Sequence, residues 1–393
     1  MGGMSAWLCR TCGGPGATRW VFLAWFGAGV GFGMPQVGWA DSFDDYILVE
    51  RFELPVGAGP VGAFPEGRLL TVIGAEVYVE SAVGSRVFES RGGLPDADMS
   101  SFGAAFVRVS PDGTWIAVGN NGGAAFDRYQ VGVFQFPGLT GVWFDAGHFD
   151  ATWVDNRYLA ITAGDFGSPS VVTLLDSAPP ESAKVDNRVV IENIGGASGG
   201  VTVDAAGNLY TGNGFETGGP SGTGAVKGFF FADWMAAWQN REPLDFEADG
   251  RLIIDVLSAS PLGFDVDGNL FIGGGDFSSE TEMDFVGVVR EPAVSAALSG
   301  GGPADGNDPN VVRRLDPDPG NDANFFTVSY GAARRELYLS DFGDTTVHVY
   351  RDTMGVPAIS DWGVIILALV TLAGGSAVLV GRNFSTLSKG AIG

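Results

Sequence analysis

The chain has 393 residues and a formal net charge of −24, from 22 Lys plus Arg against 46 Asp plus Glu. Such acidity repels phosphate backbones and argues against nucleic-acid partners, while 45% apolar and 12% aromatic residues argue against a disordered chain. With 62 Gly and 20 Pro and only 17% charged residues, the composition fits many short strands joined by tight turns.

Cys9 and Cys12 are the only cysteines. A lone C-x-x-C pair lacks the four ligands of a structural zinc site. Arg10 and Arg19 precede an apolar, Gly-rich run that ends near Met34, and Gly38 and Ala40 place small side chains at −3 and −1 of a cleavage site. The pattern predicts a signal helix over residues 1–40, removed by signal peptidase, and export of the chain from residue 41 onward.

Residues 41–355 show no long helical period. A short apolar strand, a turn rich in Asp, Gly or Asn, and a second strand recur instead, at 106–118, 151–161, 201–210, 264–272 and 326–339, with a degenerate first copy at 64–72. Their turn residues Gly67, Gly113, Asn156, Gly207, Gly268 and Ala333 succeed one another at intervals of 43 to 65 residues. That interval matches one propeller blade with insertions in the later copies, and Asp-Gly and Gly-Asn supply the positive φ of a tight turn. Two stretches break the period: 211–224, leading to a short helix within 229–239, and a polar insertion at 278–310, where loops on a rigid ring would carry a binding surface.

The copies resemble β-propellers of the NHL and SMP-30-like kind, in which each blade opens with a strand, an Asp-Gly-Asn type turn and a Leu-Tyr-Val type strand. An all-β, six-bladed β-propeller is therefore expected over 41–355, with a pair of β-sandwiches as the alternative. The last copy has room for only three strands, ending Thr346-Val347-His348-Val349-Tyr350. Residues 46–52 would supply the fourth and close the ring, removing two open edges.

Chemistry is sparse in this sequence. His348 alternates within a strand and reads as structural, and His148 reads as a loop residue without the G-x-S-x-G turn of a serine hydrolase. The position after the second strand holds Asn120, Asp165, Asn213, Asp276 and Asp341. Equivalent positions of a propeller share one circle of the ring, where oxygen ligands would suit Ca²⁺. The competing reading is that each bonds backbone groups of its own turn. Asp305, Asn307, Asp308, Asp316, Asp318, Asn321 and Asp322 form a further acidic stretch without the order of an EF-hand.

At the other end, residues 364–380 carry no charge and are succeeded by Arg382 and Lys389. This predicts a transmembrane helix with its C-terminal end in the cytoplasm. Before it stands Val356-Pro357-Ala358-Ile359-Ser360-Asp361-Trp362-Gly363, which resembles the IPTL-type C-terminal sorting domain, usually Ile-Pro-Thr-Leu-Ser-Glu-Trp-Gly. The tight Arg cluster that normally comes after the span is reduced here to Arg382. The resemblance implies residues 356–393 as a sorting segment with a short cytoplasmic tail, a membrane sorting enzyme as partner, and a Gram-negative-type envelope.

Together these readings predict an exported, single-pass protein of the cell envelope whose extracytoplasmic propeller binds a protein or glycan without catalysis. The alternatives are an SMP-30-like or lactonase-like metal-dependent hydrolase, with Ca²⁺ among the carboxylates, and a purely structural surface protein.

Overall fold

The computed structural model describes residues 46–99, 103–120, 130–145, 149–163, 170–177, 188–195, 198–213, 224–255, 259, 261–274, 286–317, 326–341 and 343–353. The chain divides into Met1–Asp41 and Ser42–Gly393, and every described residue lies in the second part.

Strand β1 (Tyr46–Glu53) opens the described chain. Blade 1 comes next as β2 (Val61–Ala63), β3 (Leu69–Ile73), β4 (Glu76–Glu80) and β5 (Phe88–Gly93), and blade 2 as β6 (Ala104–Val109), β7 (Trp115–Asn120), β8 (Gln130–Gln135) and β9 (Thr140–Asp145). Blade 3 is β10 (Ala151–Trp153), β11 (Tyr158–Ala163), β12 (Ser170–Asp176) and β13 (Arg188–Ile194). Blade 4 is β14 (Ser198–Val203), β15 (Leu209–Asn213), β16 (Ala225–Phe229) and β18 (Arg251–Asp255). Between its last two strands come helix α1 (Phe231–Asn240), β17 (Leu244–Asp245), which joins blade 3 in parallel beside β13, and helix α2 (Phe246–Asp249). Blade 5 is β19 (Leu262–Phe264), β20 (Leu270–Ile272), β21 (Val286–Val289) and β22 (Val312–Leu315), with α3 (Glu291–Leu298) before its last strand. Blade 6 is β23 (Phe326–Gly331), β24 (Glu336–Asp341), β25 (Thr346–Asp352) and, from the other end of the chain, β1.

The first strands β2, β6, β10, β14, β19 and β23 touch one another in succession, and β23 returns to β2. This is a closed six-bladed propeller, as the repeats predicted. Closure also takes the expected route, since β1 pairs antiparallel with β25 from Tyr46 opposite Asp352 to Glu53 opposite Thr346. The core lies between blades. Phe64, Leu70 and Val72 of blade 1 pack against Val107, Ile116 and Phe134 of blade 2, and Phe271 and Val288 of blade 5 pack against Val328, Leu337 and Leu339 of blade 6.

Two repeats share one local device. In blade 4 the Asp204 carboxylate accepts from the backbone N–H of Ala206 and Asn208 and from the side chains of Asn208 and Tyr210. Gly207 takes φ +82° there, a conformation that β-carbons disfavour. Blade 5 repeats it with Asp265, which accepts from the N–H of Asp267 and Asn269 and from the Asn269 amide. The Asn oxygens then cap the helices that each blade carries, accepting from Phe231 N at 3.1 Å and from Glu291 N at 3.0 Å.

Several expectations are corrected. The region 278–310 is more than a polar loop: its run Val286–Val289 is wholly buried as the third strand of blade 5, and Glu291–Leu298 is helical. Among the described residues no helix is long and apolar enough to cross a membrane, the longest being the ten-residue α1. The expected signal helix (1–40), transmembrane helix (364–380) and sorting residues 356–363 lie outside the described residues. The membrane as partner and the single-pass envelope location are therefore not retained.

Candidate acidic site at the seam of blades 5 and 6

The Asp265 turn of blade 5 faces the end of blade 6. Asp265 and Asp267 come from the β19–β20 turn and Asp352 from the end of β25, and one carboxylate oxygen of each lies within 4.8 Å of the others. Asp265 and Asp352 are buried, whereas Asp267 is exposed and opens the group to solvent. This cluster is capable of coordinating a divalent cation, because three oxygen donors converge on one point.

Each carboxylate is positioned by its own element. The three donors of the β19–β20 turn fix Asp265, and Tyr46 Oη adds a fourth bond at 2.5 Å. In blade 4 the corresponding phenol is Tyr210, two residues after Asn208. Its counterpart in blade 5 is Phe271, which has no hydroxyl, and Tyr46 at the start of β1 stands edge-on to that ring at 5.6 Å and supplies the missing O–H. Burial, and then the Asp265 charge, push the Tyr46 phenol well above its ordinary range, so it stays protonated and donates.

Arg335, in the β23–β24 turn, bonds both Asp267 and Asp352 through Nη2. It sets one positive charge against three carboxylates, and its Nε is buried without a partner. Tyr330 on β23 completes the surroundings. Its hydroxyl oxygen is likewise buried without a partner, and its phenol is pushed up by burial first and then by Asp265 and Asp352. The donor set fits a hard divalent ion on these observations: all ligands are oxygen, their charge exceeds that of the guanidinium beside them, and the buried hydroxyl oxygen of Tyr330 there lacks a partner.

The predicted ring of residues after the second strands does not assemble this site. Asn120 is buried at the end of β7 and donates to Asp98 O at 2.9 Å, and Asn213 accepts from Ala225 N at 2.6 Å. Both serve nearby backbone. Asp341 ends β24, its carbonyl accepting from Asp344 N at 3.2 Å, while Asp165 and Asp276 lie outside the described residues, as does His148. His348 is buried within β25, as expected of a structural residue. In the acidic stretch, Asp305 and Asp308 accept from Asn307 N and Asn310 N of their own turns.

The expectation of a non-catalytic binding protein rested on the lack of an assembled set of functional groups. It is corrected by the convergence of Asp265, Asp267 and Asp352, which the local sequence pattern hid because Asp352 is 85 residues from Asp267. The D-x-D spacing of the turn was the one visible signal.

No family model and no curated protein matches the chain. Among solved structures it is similar to the holo form of the PQQ domain of pyranose dehydrogenase from Coprinopsis cinerea, at 12% identity over 77% of this chain and 97% of that one, with a TM-score of 0.49. It is also similar to the apo form of the soluble aldose sugar dehydrogenase from Escherichia coli, at 13% identity over 77% and 98%, with a TM-score of 0.45. A chain of a mitotic checkpoint complex reaches 12% identity over 78% and 94%, also at 0.45. Similarity at this level transfers neither activity nor cofactor.

Proposed function

We propose that the propeller is a divalent-cation-dependent hydrolase, with Asp265, Asp267 and Asp352 holding the ion and Ca²⁺ as the ion held. The observation that carries this reading is the approach of three carboxylates from two distant segments, two of them buried. An all-oxygen set without His or Cys favours a hard cation over zinc. Bound there, the ion would supply Lewis-acid polarisation of an ester-type carbonyl.

The chain's own residues have distinct parts. Asp265 is held rigid by its turn donors and Tyr46, so it orients rather than moves. Asp267 marks the solvent-facing side from which a substrate reaches the group. Arg335 carries the positive charge that would meet a carboxylate product.

The test is metal analysis of the purified chain, joined to hydrolysis of simple esters and lactones before and after chelation. One ion per chain and a chelator-sensitive activity, both reduced in Asp352→Asn, are expected. Substoichiometric metal with unaltered turnover after chelation would overturn the reading.

For residues 356–363 we propose a separate role as a processing signal, supported by their resemblance to the sorting motif. Pro357→Ala or Trp362→Ala should then leave the chain at its unprocessed mass. Identical processing of variant and parent chains would count against it.

A further inference from the structure

Tyr330 pairs in register with Leu337 on β24, and its ring lies tilted against Phe271 at 5.8 Å between centroids. Phe271 also meets Tyr46 edge-on. Two phenols therefore flank one phenyl ring at the seam of blades 5 and 6. Tyr46 donates to Asp265, but the Tyr330 hydroxyl oxygen is buried and has no hydrogen-bond partner.

A buried hydroxyl without a partner is uncommon in a native protein and calls for an explanation. The charges that bear on this one are Asp265, Asp352, Arg335 and Asp267, the same groups that form the acidic site. None of them bonds it directly, but its ring packs on Phe271, which also meets Tyr46, the phenol bonded to Asp265, and its strand leads into the turn that carries Arg335. An oxygen in that position is suited to hold a ligand of the ion through one intervening water.

We propose that Tyr330 is a positioning residue of the cation site, its hydroxyl oxygen accepting a hydrogen bond from a water bound to the ion, so that the ion is held partly hydrated. This rests on the proposal that Asp265, Asp267 and Asp352 bind a divalent cation. It goes beyond it by assigning a group outside the carboxylates.

The experiment is calorimetric titration of the chelator-treated full chain with Ca²⁺, for the parent, Tyr330→Phe and Asp352→Asn, with a melting temperature for each ion-free protein. Tyr330→Phe keeps the ring that packs on Phe271 and removes only the oxygen. Binding should weaken by about 10- to 100-fold, the range for outer groups that orient metal ligands. The ion-free melting temperature should not fall, because no existing bond is lost. Parent-like affinity in Tyr330→Phe, with binding lost in Asp352→Asn, would overturn the role of Tyr330 and leave the cation site standing. A lowered ion-free melting temperature would show that the hydroxyl already has a structural partner, and would also overturn it. Failure of the parent chain to bind Ca²⁺ would remove both proposals together.

Discussion

Asp150 is fully buried and carries a carboxylate, which the interior tolerates only if it is paired and hydrogen-bonded. Arg108 of β6 meets it at 2.6 Å, and the N–H groups of Val201 on β14 and Leu262 on β19 approach at 3.1 and 3.2 Å. Its own N–H bonds Thr162 Oγ1 of β11. One side chain at the head of β10 thus ties the first strands of blades 2, 4 and 5 to blade 3. Burial pushes its carboxyl up, opposed by Arg108 and the backbone donors. Asp150→Ala would strand Arg108 and two buried N–H groups, and breaking a buried pair in this way costs about 3–5 kcal/mol. Urea unfolding should show that loss, and a change below about 1 kcal/mol would mean the bonds to Asp150 are replaced by others. In the sequence Asp150 stands out only as a neighbour of His148. Its role depends on residues 108, 150, 201 and 262 meeting in space, and no local pattern records that.

The repeated hairpins were legible for a physical reason: an Asp-x-x-Gly-Asn turn needs a positive φ at its Gly and an acceptor for its free N–H groups, and both are written in residue types. Blades 4 and 5 therefore appear in the sequence at 204–210 and 265–271 much as they do in the structure. The later strands were less visible, because β21 is a four-residue apolar run inside polar sequence and β17, the fifth strand added to blade 3 beside β13, is only two residues long. The same turns show how one side chain couples elements. Asn208 bonds Asp204 with its amide and caps α1 with its oxygen, while Trp234 of α1 donates back to Gly207 O at 3.0 Å. Asn208→Ala removes both side-chain bonds, each contributing about 1 kcal/mol net. A loss of about 1–3 kcal/mol in stability is expected, with faster amide exchange across α1 as the local sign. Unchanged exchange in the helix would show that packing of Trp234 alone holds it.

The ring as a whole depends on one seam that the chain must close from both ends, between blade 6 and blade 1. The sequence foretold the strand that closes it but not the charges that line it, since these come from β1, blade 1 and blade 6 at once. Buried Glu336 accepts from Tyr338 and Arg351 at 2.7 Å each and from Arg334 at 3.0 Å. Arg86 reaches it at 3.3 Å and also bonds Glu50 of β1 at 2.7 Å, so blade 1, the closing strand and blade 6 share one network. Burial alone would raise the Glu336 carboxyl, but the bonds from Arg351 and Tyr338 and the charges of Arg334 and Arg86 outweigh it and hold the group below its ordinary value of 4.5. The native state therefore releases this proton more readily than the unfolded chain does, and in acid the unfolded chain binds more protons. The stability due to Glu336 is fully present above the unfolded value, and it is lost as pH falls through the lower folded value. Melting temperatures measured from about pH 7 down to about pH 3 should thus decline at the acid end. Glu336→Gln should start lower at neutral pH, where three arginines lose their shared partner, and should decline less steeply in acid. If parent and variant lost stability in parallel over that range, protonation of Glu336 would not be what opens the ring.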